Sequence, residues 1–126
     1  MTRFLLICLG GAAGTGARYL VSLAATKLWG TALPVGTLFV NLLGSFLLGF
    51  IMSAEIGPSL SPDAKLALTV GLLGGFTTYS TFNYDTTTFF RSGAWVYGFL
   101  YLTITVAGCL ASGLAGLAAA RIMSGK

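Results

Sequence analysis

Residues 74–90 read GGFTTYSTFNYDTTTFF. Six threonines, one serine and a pair of glycines fall inside a stretch placed to cross a membrane. A bilayer core offers no water to free backbone groups, so irregular backbone there is tolerated only when buried in protein or lining a cavity. Gly74 and Gly75, followed by Thr77 and Thr78, weaken the helix near the middle of the span. The stretch predicts an all-α membrane protein whose third helix is broken near its middle.

The rest of the chain agrees. Of its 126 residues, 56% are hydrophobic and 8% charged, whereas a soluble domain carries roughly a quarter charged. That is too little charge for a soluble surface, and the length suits one membrane domain. The net charge of +4 reflects a shortage of acids (Glu55, Asp63 and Asp85) rather than a basic cluster. Seven Lys and Arg are scattered singly, which leaves no footprint for nucleic acid. Histidine, the commonest metal ligand and proton shuttle, is absent. Cys8 and Cys109 lie in apolar runs without disulfide or metal spacing and read as small buried hydrophobes.

Four segments reach the ~20 residues a crossing needs: 4–28, 33–54, 63–90 and 94–121. Together they predict a single four-helix transmembrane domain over 1–126. An N-terminal Arg3 before FLLICLGGAAG mimics a signal peptide, but the apolar character continues to Trp29, as a first transmembrane helix requires. WGTALP (29–34) ends the first span, and RSGAW (91–95) turns the chain into the fourth. In the polar connector EIGPSLSPDAK (55–65), Ser61, Pro62 and Asp63 form a cap, a first-turn proline and an acidic start. Trp29, Trp95 and Tyr97 fall where interfacial aromatics belong. Gly10 with Gly14, Gly44 with Gly49, and Gly108, Gly113 and Gly116 are spaced for close helix contact.

With four spans, both termini and the 55–65 connector share one side, which carries Arg3, Lys65, Arg121 and Lys126. The other side carries Lys27 and Arg91. So modest a bias does not fix an orientation under the positive-inside rule. A chain that inserts both ways can pair with an inverted copy of itself. No internal repeat is visible, so a two-fold symmetric pathway needs a second chain.

A few polar residues stand out within the spans. Arg18 lies near the middle of the first, where an arginine costs ~2.5–3.5 kcal/mol on insertion scales. It either snorkels or satisfies backbone carbonyls, or else it attracts an anion. Thr37, Asn41 and Ser45 recur at i, i+4 and i+8 on one face of the second span. Asn41 serves either as a pathway donor or as an interhelical hydrogen bond. Tyr101, Thr105, Cys109 and Ser112 share a face of the fourth. Beyond the break, Tyr79 and Phe82 face one side together, with Ser80 and Thr81 between them. Aromatic rings have positive edges that can face an anion, so these residues compose a polar track of donors and ring edges. Alternatively, the hydroxyls bond their own helices and the rings fill the core.

Absences sort the function classes. A proton-coupled cation exporter needs a carboxylate at the midplane, and the three acids lie toward span ends. A small multidrug-resistance-type antiporter would carry a glutamate in the first span, which has none. An enzyme would need a nucleophile–base pair or metal cluster that this residue set does not offer. A non-transporting assembly subunit, its glycines packing helices and its threonines satisfying one another, stays open. The only deep charge is positive, which favours an anion.

The segments GGAAGTGARY with Arg18, PVGTLFVNLLGS with Asn41, and above all GLLGGFTTYSTFNYD resemble the Fluc (CrcB-type) family of bacterial fluoride channels, along essentially the whole chain. The resemblance implies a passive, fluoride-selective channel of the bacterial inner membrane, embedded in the lipid bilayer as an antiparallel, dual-topology homodimer. It implies two pores and a structural sodium ion at the dimer interface. By position, Asn41 matches the family's pore-lining asparagine, and Tyr79 and Phe82 match its pair of phenylalanines. Ser80 and Thr81 match the hydroxyls between these. Gly74 and Thr77 match the residues whose carbonyls hold sodium, and Arg18 matches the vestibule arginine. Tyr101, Thr105, Cys109 and Ser112 fall on the polar track of the fourth helix. The chain departs from the pattern with Tyr79 in place of phenylalanine, Cys109 in place of serine, and Gly113 in place of a hydroxyl residue. Tyrosine keeps the positive ring edge, whereas cysteine is a poorer donor.

Such a lining suits fluoride, which is small and strongly hydrated. Hydroxyls and an amide replace its water without a fixed charge that would bind too tightly to release it. Hydrogen fluoride crosses membranes uncharged and dissociates in a neutral cytoplasm. A passive channel then lets the negative-inside potential expel the anion, with ~2.3 kcal/mol per 100 mV.

Overall fold

The computed structural model describes residues 1–53 and 56–125. The end of the second expected span at Ala54, the acid Glu55 and the terminal Lys126 lie outside the described residues. α1 (Thr2–Trp29) and α2 (Val35–Ile51) are separated by a turn through Gly30, whose φ of 75° is left-handed. After a 3₁₀ turn at Gly57–Ser59, α3 (Pro62–Leu66) begins at the expected cap, with Ser61 Oγ accepting from Ala64 N at 3.2 Å. α3 runs into a π-helical segment (Ala67–Leu73) and then α4 (Gly74–Phe76). Thr77 and Thr78 are extended, and α5 (Tyr79–Arg91) follows. Gly93, at φ 78°, turns the chain into α6 (Trp95–Met123). The result is four helices, the third interrupted, with no strand among the described residues.

Lengths and surfaces fit a bilayer. α1 and α6, at 28 and 29 residues, are long and apolar enough to cross. At 1.5 Å per residue each spans ~42 Å, against a hydrocarbon core of ~30 Å. Their most apolar stretches are only 6% and 11% buried, so these faces suit lipid and not water. α2, at 17 residues, is shorter. Cys8, read from its apolar setting as buried, is instead exposed on α1. In lipid an apolar side chain needs no burial within the protein.

The break begins two residues beyond the glycine pair, at Thr77, and the π-helical segment before it was not foreseen. The reason is the packing of α1 along the π segment and α4. A Cβ at Gly10 would stand 2.6 Å from Ala67 O, and one at Gly71 2.8 Å from Ile7 O. Backbone therefore meets backbone across this seam, and Gly75 serves it in the same way against Gly11. Gly75 is used for contact with α1, and the chain leaves the helix only once past it. α2 lies along α6 by similar means, Gly49 against Gly113 and Gly116 against the Phe46 carbonyl.

One ion pair marks an end of the bundle. Arg3 Nε stands 2.6 Å from Asp63 Oδ1, which brings the start of α1 beside the start of α3. The partners are 65% and 44% exposed, so the pair contributes ~0–1 kcal/mol at most.

Candidate functional site

Most of the groups freed by the break find partners. Thr77 N and Oγ1 both donate to Leu73 O, each at 2.9 Å. Thr78 N donates to Asn41 Oδ1 at 2.8 Å, and Asn41 Nδ2 donates to Thr78 O at 3.0 Å. One amide from α2 thus replaces the two backbone bonds that Thr78 gave up. Arg18 Nε donates to Gly75 O at 3.0 Å. Thr78 Oγ1 caps α5 by accepting from Thr81 N at 3.2 Å, and it donates to Thr81 Oγ1 at 3.0 Å. Among the described residues, none donates to the carbonyls of Gly74 or Thr77.

Further along α5 the hydroxyls serve the helix itself. Thr86 donates to Phe82 O at 2.8 Å, and Thr87 and Thr88 both donate to Tyr84 O. With Thr77, four of the six threonines are absorbed by carbonyls of their own segment. Thr78 and Thr81 remain to shape the site.

A groove of about 350 Å³ opens beside the break. Asn41, Gly44, Ser45 and Leu48 of α2 line one wall, and Thr105 and Cys109 of α6 another. Gly74, Thr77, Thr78, Tyr79 and Phe82 complete it. Among the described residues, none that lines it is charged. Phe82 is buried, and Tyr79, 79% exposed, meets it edge-on with ring centroids 5.8 Å apart at 63°. Thr105 is 4% exposed, and its buried Oγ1 has the Tyr101 hydroxyl as its polar neighbour.

A second cleft, of about 260 Å³, is lined by Thr37, Thr81 and Asp85 together with the α1–α2 turn. Tyr101 Oη stands 3.5 Å from Asp85 Oδ2, a long contact, and the Tyr101 ring lies 5.5 Å from that of Phe82. Phe82 and Tyr101 therefore lie between the cleft and the groove. One turn of α2, from Thr37 to Asn41, leads from one cavity to the other.

The structure gathers most of the expected residues and disperses three. Asn41, Tyr79, Phe82, Thr105 and Cys109 line the groove, as do Gly74 and Thr77. Thr81 lines the second cleft, and Tyr101 packs behind Phe82. Ser80 is exposed, 3.3 Å from Thr78 Oγ1, and lines neither cavity. Ser112 donates to Leu42 O at 2.8 Å and so ties α6 to α2. Arg18 is engaged at Gly75 rather than along the groove. Sequence reasoning missed three features. Gly44 leaves room for the break, since a Cβ there would collide with the Thr77 methyl. Thr78 is the partner of Asn41. Asp85, read as peripheral, shares the cleft with Thr37 and Thr81, a grouping that its i+4 spacing from Thr81 could have suggested.

The family model for CrcB-like protein, Camphor Resistance (CrcB), matches residues 5–117. The chain belongs to the CrcB-like family. A protein of Anaeromyxobacter dehalogenans named fluoride-specific ion channel FluC is 48% identical over 126 residues, covering 99% of this chain and 100% of that one. The protein of the same name from Chlorobaculum tepidum is 51% identical over 118 residues, covering 93% and 90%. That from Geobacter sulfurreducens is 45% identical over 122 residues, covering 96% and 98%. These CrcB-like relatives are named as ion channels, a non-enzymatic class.

Proposed function

We propose that this chain is a single four-helix transmembrane domain that forms a passive, fluoride-selective channel in the bacterial cytoplasmic membrane. The observation that carries the reading is the groove at the helix break, whose described lining is uncharged and includes Asn41, Phe82 and Thr105. In this reading the pathway runs from the Thr37–Thr81–Asp85 cleft, past the edge of Phe82, into the groove. Fluoride exchanges water for donors held in place: the Thr105 hydroxyl, the Asn41 amide hydrogen not used on Thr78, and the ring edges of Tyr79 and Phe82. None is a fixed cation, so binding stays weak enough for release. Asp85 opposes an anion by ~1 kcal/mol at 4 Å in a water-filled cleft, which slows entry without forbidding it.

The working unit in this reading is an antiparallel, dual-topology homodimer with two pores. The weak charge bias between the two sides supports it, as does a groove whose Tyr79 wall is exposed in a single chain. A sodium ion fits the break. The Gly74 and Thr77 carbonyls accept no hydrogen bond from the described residues, and neutral carbonyl oxygens suit a hard monovalent cation. Bound there, sodium would add positive charge at the dimer centre and hold subunits together.

The deciding experiment is fluoride release from liposomes that contain the purified protein, with valinomycin as charge shunt and chloride as control. Fast fluoride release with chloride retained is the expected result. Equal release of both anions, or none from folded protein, would sink the reading.

A further inference from the structure

A third cavity, a recess of about 230 Å³, lies at the end of the bundle where α1 and α5 finish and α2 and α6 begin. Leu33 and Leu38 form one wall, Phe89 of α5 a second, and Leu100 and Ile104 of α6 a third, with the buried Tyr101 among them. In this lining the hydroxyls of Tyr97 and Tyr101 are the only polar side-chain atoms among the described residues. So apolar a space does not hold water, and ~150 Å³ of it suffices for benzene or xenon. Leu33, Tyr97, Leu100 and Ile104 are each more than half exposed, so the mouth is open to the surroundings. Leu100 of the recess and Cys109 of the groove are nine positions apart on α6, ~2.5 turns, and so stand on opposite sides of the helix. A second copy that closes the exposed Tyr79 side of the groove therefore leaves the recess turned toward lipid.

We propose that this recess is a binding site for one acyl chain of an anionic phospholipid, whose phosphate lies at Lys27 and Arg91. Charge complementarity selects the headgroup. Lys27 stands in the last turn of α1 and Arg91 in the last turn of α5, both exposed and both at the end of the bundle that holds the recess. Trp95 and Tyr97, at the start of α6, mark that end as an interfacial level. Basic residues where helices meet the cytoplasmic or matrix side of a membrane are a recurring form of anionic headgroup site. Asp85 lines the second cleft and not the recess, so no described carboxylate lies in the chain's path. The chain descends from the headgroup along α6 and covers Leu100 and Ile104. The proposal uses the membrane setting and the second copy of the proposed dimer, but not fluoride conduction.

The test places the full chain in vesicles of phosphatidylcholine and phosphatidylglycerol, with a trace of either lipid carrying a photoreactive diazirine in one acyl chain. After illumination, mass spectrometry maps the label. With the phosphatidylglycerol probe, Tyr97, Leu100 and Ile104 should be labelled well above Val96 and Phe99, which are 70% and 57% exposed at the same level of α6 but outside the recess. The phosphatidylcholine probe should label the recess about fivefold less, the factor that one basic residue supplies near an anionic surface. Lys27→Gln combined with Arg91→Gln should abolish that difference between the lipids. Ile104→Trp fills the recess and should bring Tyr97 and Leu100 down to the level of Val96; Leu100→Trp, read at Tyr97 and Ile104, serves if that variant folds poorly. Even labelling of all five residues would reduce the recess to ordinary lipid-facing surface and overturn the proposal. So would a recess left unlabelled beside a labelled Val96, which would give that face to a second copy, and so would equal labelling by the two lipids. Fluoride release from the same vesicles tests the channel reading separately, and its failure would leave the lipid site standing.

Discussion

Replacing Asn41 with alanine removes both hydrogen bonds to Thr78, at 2.8 and 3.0 Å, from a residue only 8% exposed. Interhelical hydrogen bonds in membrane proteins average ~0.6 kcal/mol, with a maximum near ~1.7. Two of them come to about 1–3 kcal/mol. The backbone N–H and carbonyl of Thr78 then stand unpaired unless water enters, which would push the loss to the upper end of that range. The unfolding midpoint in a denaturing detergent titration should therefore fall measurably, and fluoride release should fall by more than tenfold, roughly, as a donor leaves the path. Asn41→Asp makes a useful companion. It keeps an acceptor for Thr78 N–H, removes both amide donors and places a like charge in the groove, so it should recover part of the stability and none of the flux. Unchanged stability in Asn41→Ala would refute the bracing of the break by α2. Lowered stability with unchanged flux would leave the bracing intact and remove Asn41 from the pathway.

Other perturbations separate structure from transport. Phe82→Ile removes a buried ring that meets Tyr79 and Tyr101. It should cost about 1–2 kcal/mol of stability and a larger fraction of fluoride release, measured in the same liposomes. Arg18→Gln keeps a donor for Gly75 O but drops the charge. Near-normal stability with slower release at low salt would assign Arg18 an electrostatic role beyond its hydrogen bond, and equal release would confine it to bracing. Gly44→Ala drives a methyl into Thr77 and should distort the break, with loss of both yield and flux; wild-type behaviour would show that the close approach is absent. Replacing sodium with a large organic cation throughout purification should lower the share of dimer on size exclusion. No change would argue against the Gly74 and Thr77 carbonyls as a cation site.

The sequence by itself determined the solvent, the number of helices and the existence of the break. Each rests on local chemistry: too few charges for water, apolar runs of spanning length, and glycines and threonines where a helix would otherwise continue. The cap at Ser61 and the turns near Gly30 and Gly93 were legible for the same reason. The family resemblance pointed to the side chains that matter, but pattern alone could not tell which hydroxyls face a cavity. Thr105 and Ser112 lie on one stripe of α6, yet Ser112 spends its proton on Leu42 O while Thr105 stands beside Tyr101 and lines the groove. That difference depends on how closely α2 approaches at each level. Likewise the break sits at Thr77 and Thr78 because the α1 seam claims Gly75 through Gly11, a contact between residues about sixty positions apart. Asn41 reaches Thr78 across 37 positions, a pairing that no helical period encodes. Periodicity gives the face on which a residue stands; only the packed neighbour decides whether its hydrogen-bonding groups are consumed or left for a ligand.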